Sequence, residues 1–377
     1  MIYLDYAATS FAKPQEVYQA VYNAMVHHSA NPGRGGHLLS VSAGELVYET
    51  REKLCRLFHI NNPEQIAFFQ NTTAALNAAI KGVLTRGDHV LVSSMEHNSV
   101  LRPLTELKRK GIIDYTVISA DKNGTLVPED FRNAMKPNTR LVICTHVSNI
   151  CGNLYNIADI GKLVRRPGTL FLVDAAQSAG VVDIDASCLD LLAFPGHKCL
   201  YGPQGSGGLY VREGVLLKTL IEGGTGSQSE LLYQPEEMPD RLESGTLNVP
   251  AIAGLGAAVD FIIREGTDAL YEHDVMLRKY FEEKIKNIPN LEIYGNNKRT
   301  GITALNIVGK DCIEISDSLC RNFGIAVRSG LHCAPVAHET IGTKEIGCVR
   351  LSYGYFTKKS ELDQAAFALL KIAKGNV

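Results

Sequence analysis

The sequence predicts an α/β fold: a large domain with a mainly parallel seven-stranded sheet flanked by helices, plus a smaller α+β domain. Three observations predict it. From about residue 64 to 211, short apolar runs alternate with amphipathic stretches, the pattern of strands joined by helical crossovers. The strand-like runs are almost continuously apolar, as in a sheet covered on both faces. Beyond about residue 250 the alternation changes character, to a long helical pattern followed by mixed strands and helices.

The strand-like runs fall at 66–69, 90–92, 115–118, 141–145, 170–173, 191–194 and 208–211. Helical spacing predicts helices over 72–84, 98–110, 128–136 and 156–166. The run at 208–211 is reached through a glycine-rich turn, Gly202 to Gly208, which predicts an antiparallel edge strand. Residues 221–248 are glycine-rich and polar, a long irregular connection. A helical pattern covers 250–286. Strand-like 301–308, helix-like 312–322, strand-like 325–328 and 346–352, and a helix near 359–373 complete the tail. These changes divide the chain into a large domain at 16–250 and a small domain made from 1–15 and 251–377.

Composition excludes several classes. With 377 residues, 45% hydrophobic and 21% charged, the chain is an ordinary globular protein with ample core. A net charge of −2 gives no reason to expect nucleic acid or an anionic membrane as partner. No apolar stretch approaches the roughly 20 residues of a membrane span, and residues 1–6 lack the features of a signal peptide. A cytoplasmic location is expected. The nine cysteines include no Cys-x-x-Cys and read as reduced thiols, most of them small buried hydrophobes.

Polar residues cluster just past the ends of the predicted strands: Asn71-Thr72-Thr73, Glu96-His97-Asn98, Asn149, Asp174, Gln177 and His197-Lys198. In open α/β sheets that edge is where ligands bind. Lys198 follows an apolar run and precedes the glycine-rich turn, and Asp174 ends another apolar run upstream. A lysine among glycines can form a Schiff base with an aldehyde cofactor, and a carboxylate on a neighbouring strand can hold a pyridinium nitrogen protonated. Together they describe a seat for pyridoxal 5′-phosphate. Either alone is as readily a solvated turn or a cap. The threonines after Asn71 suit a phosphate at a helix N-terminus, or simply cap the helix. His97 could stack on a flat ring, shuttle protons or be structural.

A second cluster is Arg328-Ser329-Gly330-Leu331-His332-Cys333-Ala334-Pro335. A cysteine in such a loop, flanked by Arg328 and His332, is placed for a lowered thiol pKa, and adjacent cations favour the nucleophilic thiolate. His332, Cys333, His338 and Cys348 could instead be metal ligands, but their spacing matches no structural zinc pattern, so no metal is expected. Arg350, in a strand-like run, must meet a carboxylate if buried, either an internal one or that of a substrate.

With these residues in place, the chain resembles the class V aminotransferase-like enzymes of fold type I. Within them it is similar to the cysteine desulfurases of the group that contains the selenocysteine lyases. The resemblance runs almost end to end, through Tyr3-Leu4-Asp5-Tyr6-Ala7-Ala8-Thr9, Asn31-Pro32-Gly33-Arg34-Gly35-Gly36-His37, Asn71-Thr72-Thr73, Glu96-His97-Asn98 and His146-Val147-Ser148-Asn149. It continues through Asp174-Ala175-Ala176-Gln177, Gly196-His197-Lys198, Arg241-Leu242-Glu243-Ser244-Gly245-Thr246, the Cys333 loop and Arg350.

The resemblance implies roles by position. Lys198 would hold the cofactor and later move the Cα proton, Asp174 would pair with the ring nitrogen, and Gln177 would bond the phenolic oxygen. His97 would stack on the ring; Thr72, Thr73 and His197 would complete the cofactor site at the phosphate. Thr246 would reach the phosphate from a second subunit, which implies a homodimer. Asn149, Arg328 and Arg350 would bind the substrate, L-cysteine or L-selenocysteine. Cys333 would take the substrate sulfur as a persulfide while alanine leaves, and the short loop after Gly330 implies a sulfur-acceptor protein. A selenocysteine lyase, another class V lyase or epimerase, and a sulfur-relay scaffold are the alternatives.

Two departures from the family pattern stand out. Pro195 replaces a common serine, removing one phosphate hydroxyl; one neutral hydrogen bond contributes about 0.5–1.5 kcal/mol, too little to abolish cofactor binding. Leu331-His332 replaces the usual pair of histidines before the cysteine, removing a proton carrier beside the thiol.

Overall fold

The structure, a computed structural model, describes residues 1–33, 35–296 and 298–375. Arg34, in the glycine-rich stretch that carries part of the resemblance, lies outside them. The chain opens with β1 (Ile2–Tyr3), α1 (Gln15–His27) and α2 (Leu38–Phe58). The sheet region then runs β2 (Ile66–Phe68), α3 (Thr72–Val83), β3 (Asp88–Ser93), α4 (Asn98–Arg109), β4 (Ile113–Ile118) and α5 (Pro128–Asn133). It continues with β5 (Thr139–Thr145), α6 (Ile157–Val164), β6 (Leu170–Asp174), β7 (Leu191–Pro195) and β8 (Gly207–Val211). After an irregular connection come α7 (Val249–Glu265), α8 (Thr267–Ile285), β9 (Leu291–Tyr294), β10 (Ile302–Ile307) and α9 (Cys312–Phe323). The last elements are β11 (Ile325–Ala326), β12 (Arg328–Gly330), α10 (Pro335–Thr340), β13 (Cys348–Ser352) and α11 (Lys359–Ala373).

All seven predicted strands form one sheet, in the order β2-β8-β7-β6-β5-β3-β4. The five strands from β7 to β4 are parallel; β8 and β2 run antiparallel to their neighbours. β8 is therefore antiparallel, as expected, but it is not an edge strand. Every residue of β8 is buried, and β2 closes the sheet outside it. Gly208 permits this crowding, because a Cβ there would fall 2.5 Å from the Phe194 ring. The outer edge of β2, itself buried, is capped by side chains. Phe68 N donates to Glu243 Oε1 at 2.5 Å and Arg51 Nη1 donates to Ile66 O at 2.5 Å. Arg51 and Glu243 are joined by two further bonds of 2.8 and 2.7 Å, so the edge offers little to another strand.

Successive residues along each central strand face opposite cores. Leu91, Val142, Phe171, Val173 and Leu192 pack with α2, α6 and α7. Val90, Val92, Leu141, Ile143, Leu172 and Leu191 pack with α3 and α4 on the other side. The single helical pattern over 250–286 is in fact two helices. Gly266, at φ 86°, caps α7 and turns the chain into α8. α7 joins the core of the large sheet, whereas Leu277, Phe281 and Ile285 of α8 join a third core with α9, α11 and β13.

That third core backs a four-stranded antiparallel sheet, β12-β13-β10-β9. The run expected as one strand at 325–328 splits: β11 pairs in parallel with β1, while β12 starts the pairing with β13. Among the described residues no helix is long and apolar enough to cross a membrane.

Candidate active site

β3 lies between β4 and β5, so the chain reverses its direction of travel across the sheet there. Such switch points open a crevice beyond the strand ends. Thr72, Thr73, His97, Asn149, Asp174, Gln177, His197 and Lys198 all line one pocket at this edge, with a cavity volume of about 80 Å³. Eight residues separated by up to 126 positions in sequence are thus gathered in one pocket.

Lys198 leaves β7 through Gly196. A Cβ at Gly196 would fall on the Ser206 side chain, so only glycine lets this turn lie against the start of β8. Burial pushes the Lys198 amine below the ordinary lysine range; Asp174 opposes that, and Arg350 adds to it. Asp174 is the buried last residue of β6, and its Oδ1 accepts from Ala176 N at 2.9 Å. Burial pushes its carboxyl up, against the Ala176 N–H and the Lys198 charge. Gln177 donates from Nε2 to Ala7 O at 2.9 Å, which leaves its second N–H free of that bond.

The N-terminus of α3 opens onto the same pocket. Asn71 caps it by accepting from Ala74 N at 2.9 Å. Thr73 Oγ1 lies 2.8 Å from Ser99 Oγ, which lies 2.9 Å from His97 Nδ1. Thr72 Oγ1 is buried without a hydrogen-bond partner among the described residues. An orphaned hydroxyl at a helix N-terminus fits a phosphate, which would supply its missing partner. His197 Nδ1 is 3.1 Å from Thr9 Oγ1, beside this end of the pocket. His97 and His197 are both pushed down to about 4, by burial first and then by the Lys198 charge, so both rings are neutral. The donor set therefore fits pyridoxal 5′-phosphate: an amine, a carboxylate, an aromatic ring and an unfilled hydroxyl site in one pocket.

β12 and β13 carry two more of the expected site residues. Arg328 and Arg350 sit opposite each other in the β12–β13 ladder. Like charges in that register are unfavourable, so each needs its own neutralising contact. Arg350 is fully buried, and its Nη2 donates to Asp5 Oδ1 at 2.8 Å while Nη1 donates to Asn149 O at 2.7 Å. Arg350 has thus found an internal carboxylate, yet its Nε has no partner among the described residues. Arg328 Nη2 instead lies 3.4 Å from Cys333 Sγ.

Cys333 is exposed, at the rim of the pocket rather than in its lining. Asn98 N donates to Cys333 O at 2.7 Å and Asn149 Nδ2 donates to His332 O at 2.8 Å, tying the loop to the rim. Of the two cations expected to flank the sulfur, only Arg328 does. His332 is buried, its ring turned toward His338, and burial together with Arg350 pushes it down to about 2. A ring so desolvated carries no charge to offer the thiol.

Thr246 is not brought to this pocket within one chain. It lines a separate cavity with Phe68, Ser206 and Asn248, and Asn31 Nδ2 lies 3.5 Å from its hydroxyl. The sequence reading assigned no role to Asp5, Ser99 or Asn98. Asp5 stood in a quoted motif, but only the fold reveals its pairing with Arg350. Glu96 is a further such group: fully buried, it accepts from Ser93 Oγ and Thr145 N, and burial pushes it up to about 8.

Comparison with known proteins agrees with this geometry. The aminotransferase class-V family model matches residues 2–365. A protein of Methanothermobacter thermautotrophicus named "Probable cysteine desulfurase" is 35% identical, over 99% of this chain and 94% of its own. A cysteine desulfurase of Salmonella choleraesuis is 34% identical over 99% and 93%. The apo structure of a cysteine desulfurase from Thermococcus onnurineus superimposes with a TM-score of 0.93 at 31% identity, covering 99% of this chain and 95% of that one.

Proposed function

We propose, given that this chain belongs to the class V aminotransferases and to the cysteine desulfurases within them, that it converts L-cysteine to L-alanine and takes the sulfur onto Cys333. Atoms balance without an outside oxidant: L-cysteine and the Cys333 thiol give L-alanine and a Cys333 persulfide.

Lys198, Asp174, Gln177, His97, Thr72, Thr73 and His197 would hold pyridoxal 5′-phosphate, which would supply an electron sink for the Cα electron pair and so activate the substrate sulfur. The protein's own residues do the rest. Lys198, its amine made easier to deprotonate by burial, moves the proton to and from Cα. Neutral His97 offers a ring face without adding positive charge. Arg350 and Asn149 orient the substrate carboxylate, which shares Arg350 with Asp5. Cys333 attacks the substrate sulfur, and the Arg328 guanidinium stands where negative charge on sulfur needs it.

Two partners complete the proposal. Thr246 lies in a cavity of its own, and α1 and α2 expose Tyr22, Met25, Leu38 and Leu39. These support a homodimer in which each subunit lends Thr246 to the other's phosphate site. The exposure of Cys333 supports handover of its sulfur to an acceptor protein.

The observation that carries the reading is the exposed Cys333 sulfur beside Arg328, on a loop bonded to Asn98 and Asn149 of the pocket rim. The test is the Cys333→Ala variant: it should keep bound cofactor but produce no alanine from cysteine with a thiol reductant present. Alanine production at the wild-type rate would refute the assignment.

A further inference from the structure

Outside the pocket lining, a second group of polar side chains is buried beside the Cys333 loop. His332, His338 on α10, Thr343 and Cys348 at the start of β13 are all buried. His338 Nδ1 lies 2.7 Å from Thr343 Oγ1, His338 Nε2 lies 3.2 Å from His332 Nδ1, and His332 Nε2 lies 3.4 Å from Arg328 O. Cys348 Sγ is 3.9 Å from His332 Nδ1. The ligand atoms of His332, His338 and Cys348 lie within 4.8 Å of one another, so a shared metal ion is one explanation and a hydrogen-bond chain is the other.

The hydrogen-bond distances and the ring positions favour the chain. Arg328 O can only accept, so His332 Nε2 carries the proton and His332 Nδ1 presents a lone pair. The Thr343 hydroxyl is buried, and among the described residues its one side-chain hydrogen-bond partner is His338 Nδ1. If it donates there, His338 Nε2 carries a proton aimed at His332 Nδ1. Every polar atom is then satisfied, and none of these groups is orphaned. A metal would leave the Thr343 proton without a partner. The ring positions agree. The two imidazoles are near-parallel, at 13°, with centroids 5.5 Å apart. That separation exceeds the 3.2 Å between the nitrogens by about the two ring radii, as for rings meeting edge to edge in line. A shared metal would draw both lone pairs to a point off that line.

The chain ends on the two parts of the structure that present the sulfur. His332 and Cys333 both hold left-handed backbone, at φ 49° and 58°, which non-glycine residues adopt only when their surroundings impose it. Arg328, whose carbonyl ends the chain, is the residue whose guanidinium meets Cys333 Sγ. We infer that Thr343 and His338 are positioning residues for sulfur transfer, fixing the strained His332–Cys333 backbone and its register on Arg328 through one directional chain of hydrogen bonds. This rests on the reading of Cys333 as the sulfur acceptor.

The experiment compares holoenzyme bearing His338→Gln, whose amide keeps a donor toward His332, with His338→Leu, which keeps bulk and loses the donor. In single turnovers, persulfide formation on Cys333 should fall roughly ten- to a hundredfold in His338→Leu, up to the scale of a displaced reacting group. It should recover in His338→Gln, with KM for cysteine and cofactor loading unchanged in both. Isotope-labelled histidine spectra of the wild type should show His338 neutral and protonated at Nε2, a readout independent of activity and of variant folding. Equal losses in both variants, no loss in either, or a wild-type His338 protonated at Nδ1 would overturn the inference. So would one tightly held zinc per chain, added as the chloride and dialysed, that is lost in Cys348→Ser. Absence of any persulfide in the wild type would instead strike the desulfurase reading, and iodoacetamide labelling of Cys333, faster in His338→Leu only, would still test the positioning.

Discussion

Arg328 Nη2 lies 3.4 Å from Cys333 Sγ, the one charged group that reaches the exposed thiol from the loop's own strand. A hydrogen bond to a charged group contributes about 1.5–3 kcal/mol, so Arg328→Ala should slow persulfide formation roughly ten- to a hundredfold. Single-turnover kinetics check this. A wild-type rate would mean that the guanidinium is a spectator.

Lys198 and Asp174 make separable contributions. Lys198→Ala should leave no cofactor that borohydride fixes to the protein. Asp174→Asn should still load cofactor yet lose roughly a hundredfold or more in turnover, the scale of one preorganised electrostatic partner. Absorbance before and after reduction separates the two outcomes.

Asp5 and Arg350 predict a stability effect. Asp5→Ala removes the carboxylate from a fully buried guanidinium, and breaking such a pair costs roughly 3–5 kcal/mol. Urea unfolding should register a loss of that order. Arg350→Ala should also raise KM for cysteine, through loss of the group that orients its carboxylate.

His146 predicts acid lability. Burial pushes this ring, whose Nδ1 has no partner among the described residues, down to about 4. The unfolded chain takes up its proton near 6.5. Between those values the unfolded state binds more protons, so stability is full above about pH 6.5 and falls as pH drops toward 4. His97 and His197 act in the same direction. Glu96 acts oppositely, because its raised value makes stability fall as pH rises from about 4.5 to 8. His146→Gln should therefore flatten the acid limb, by up to roughly 3 kcal/mol, in urea unfolding of the cofactor-free protein. An unchanged acid limb would contradict the assignment.

The parts legible in the sequence were those fixed by local pattern. Val142, Ile143, Leu172 and Val173 announce strands because both faces of the sheet are covered. Asp174 was legible because it ends such a run, and Lys198 because it follows one into a glycine-rich turn. α1 and α2 were not read as helices, and their faces explain why. Tyr18, Tyr22, Met25, Leu38 and Leu39 point outward while Thr50 and Arg51 point inward, which blurs the apolar periodicity. The position of β8, the Asp5–Arg350 pair and the His332–His338 contact are long-range facts that spacing does not encode. Gly266 was a readable signal for the α7–α8 break that the apolar pattern concealed.

The central claim is that Cys333 receives the sulfur. Incubating the cofactor-loaded protein with L-cysteine and no reductant, then digesting it and locating the added mass, tests this most directly. One extra sulfur atom on the Cys333 peptide, absent in Lys198→Ala, is the predicted result; extra sulfur on another of the nine cysteines, or alanine formed with Cys333 unmodified, would contradict it.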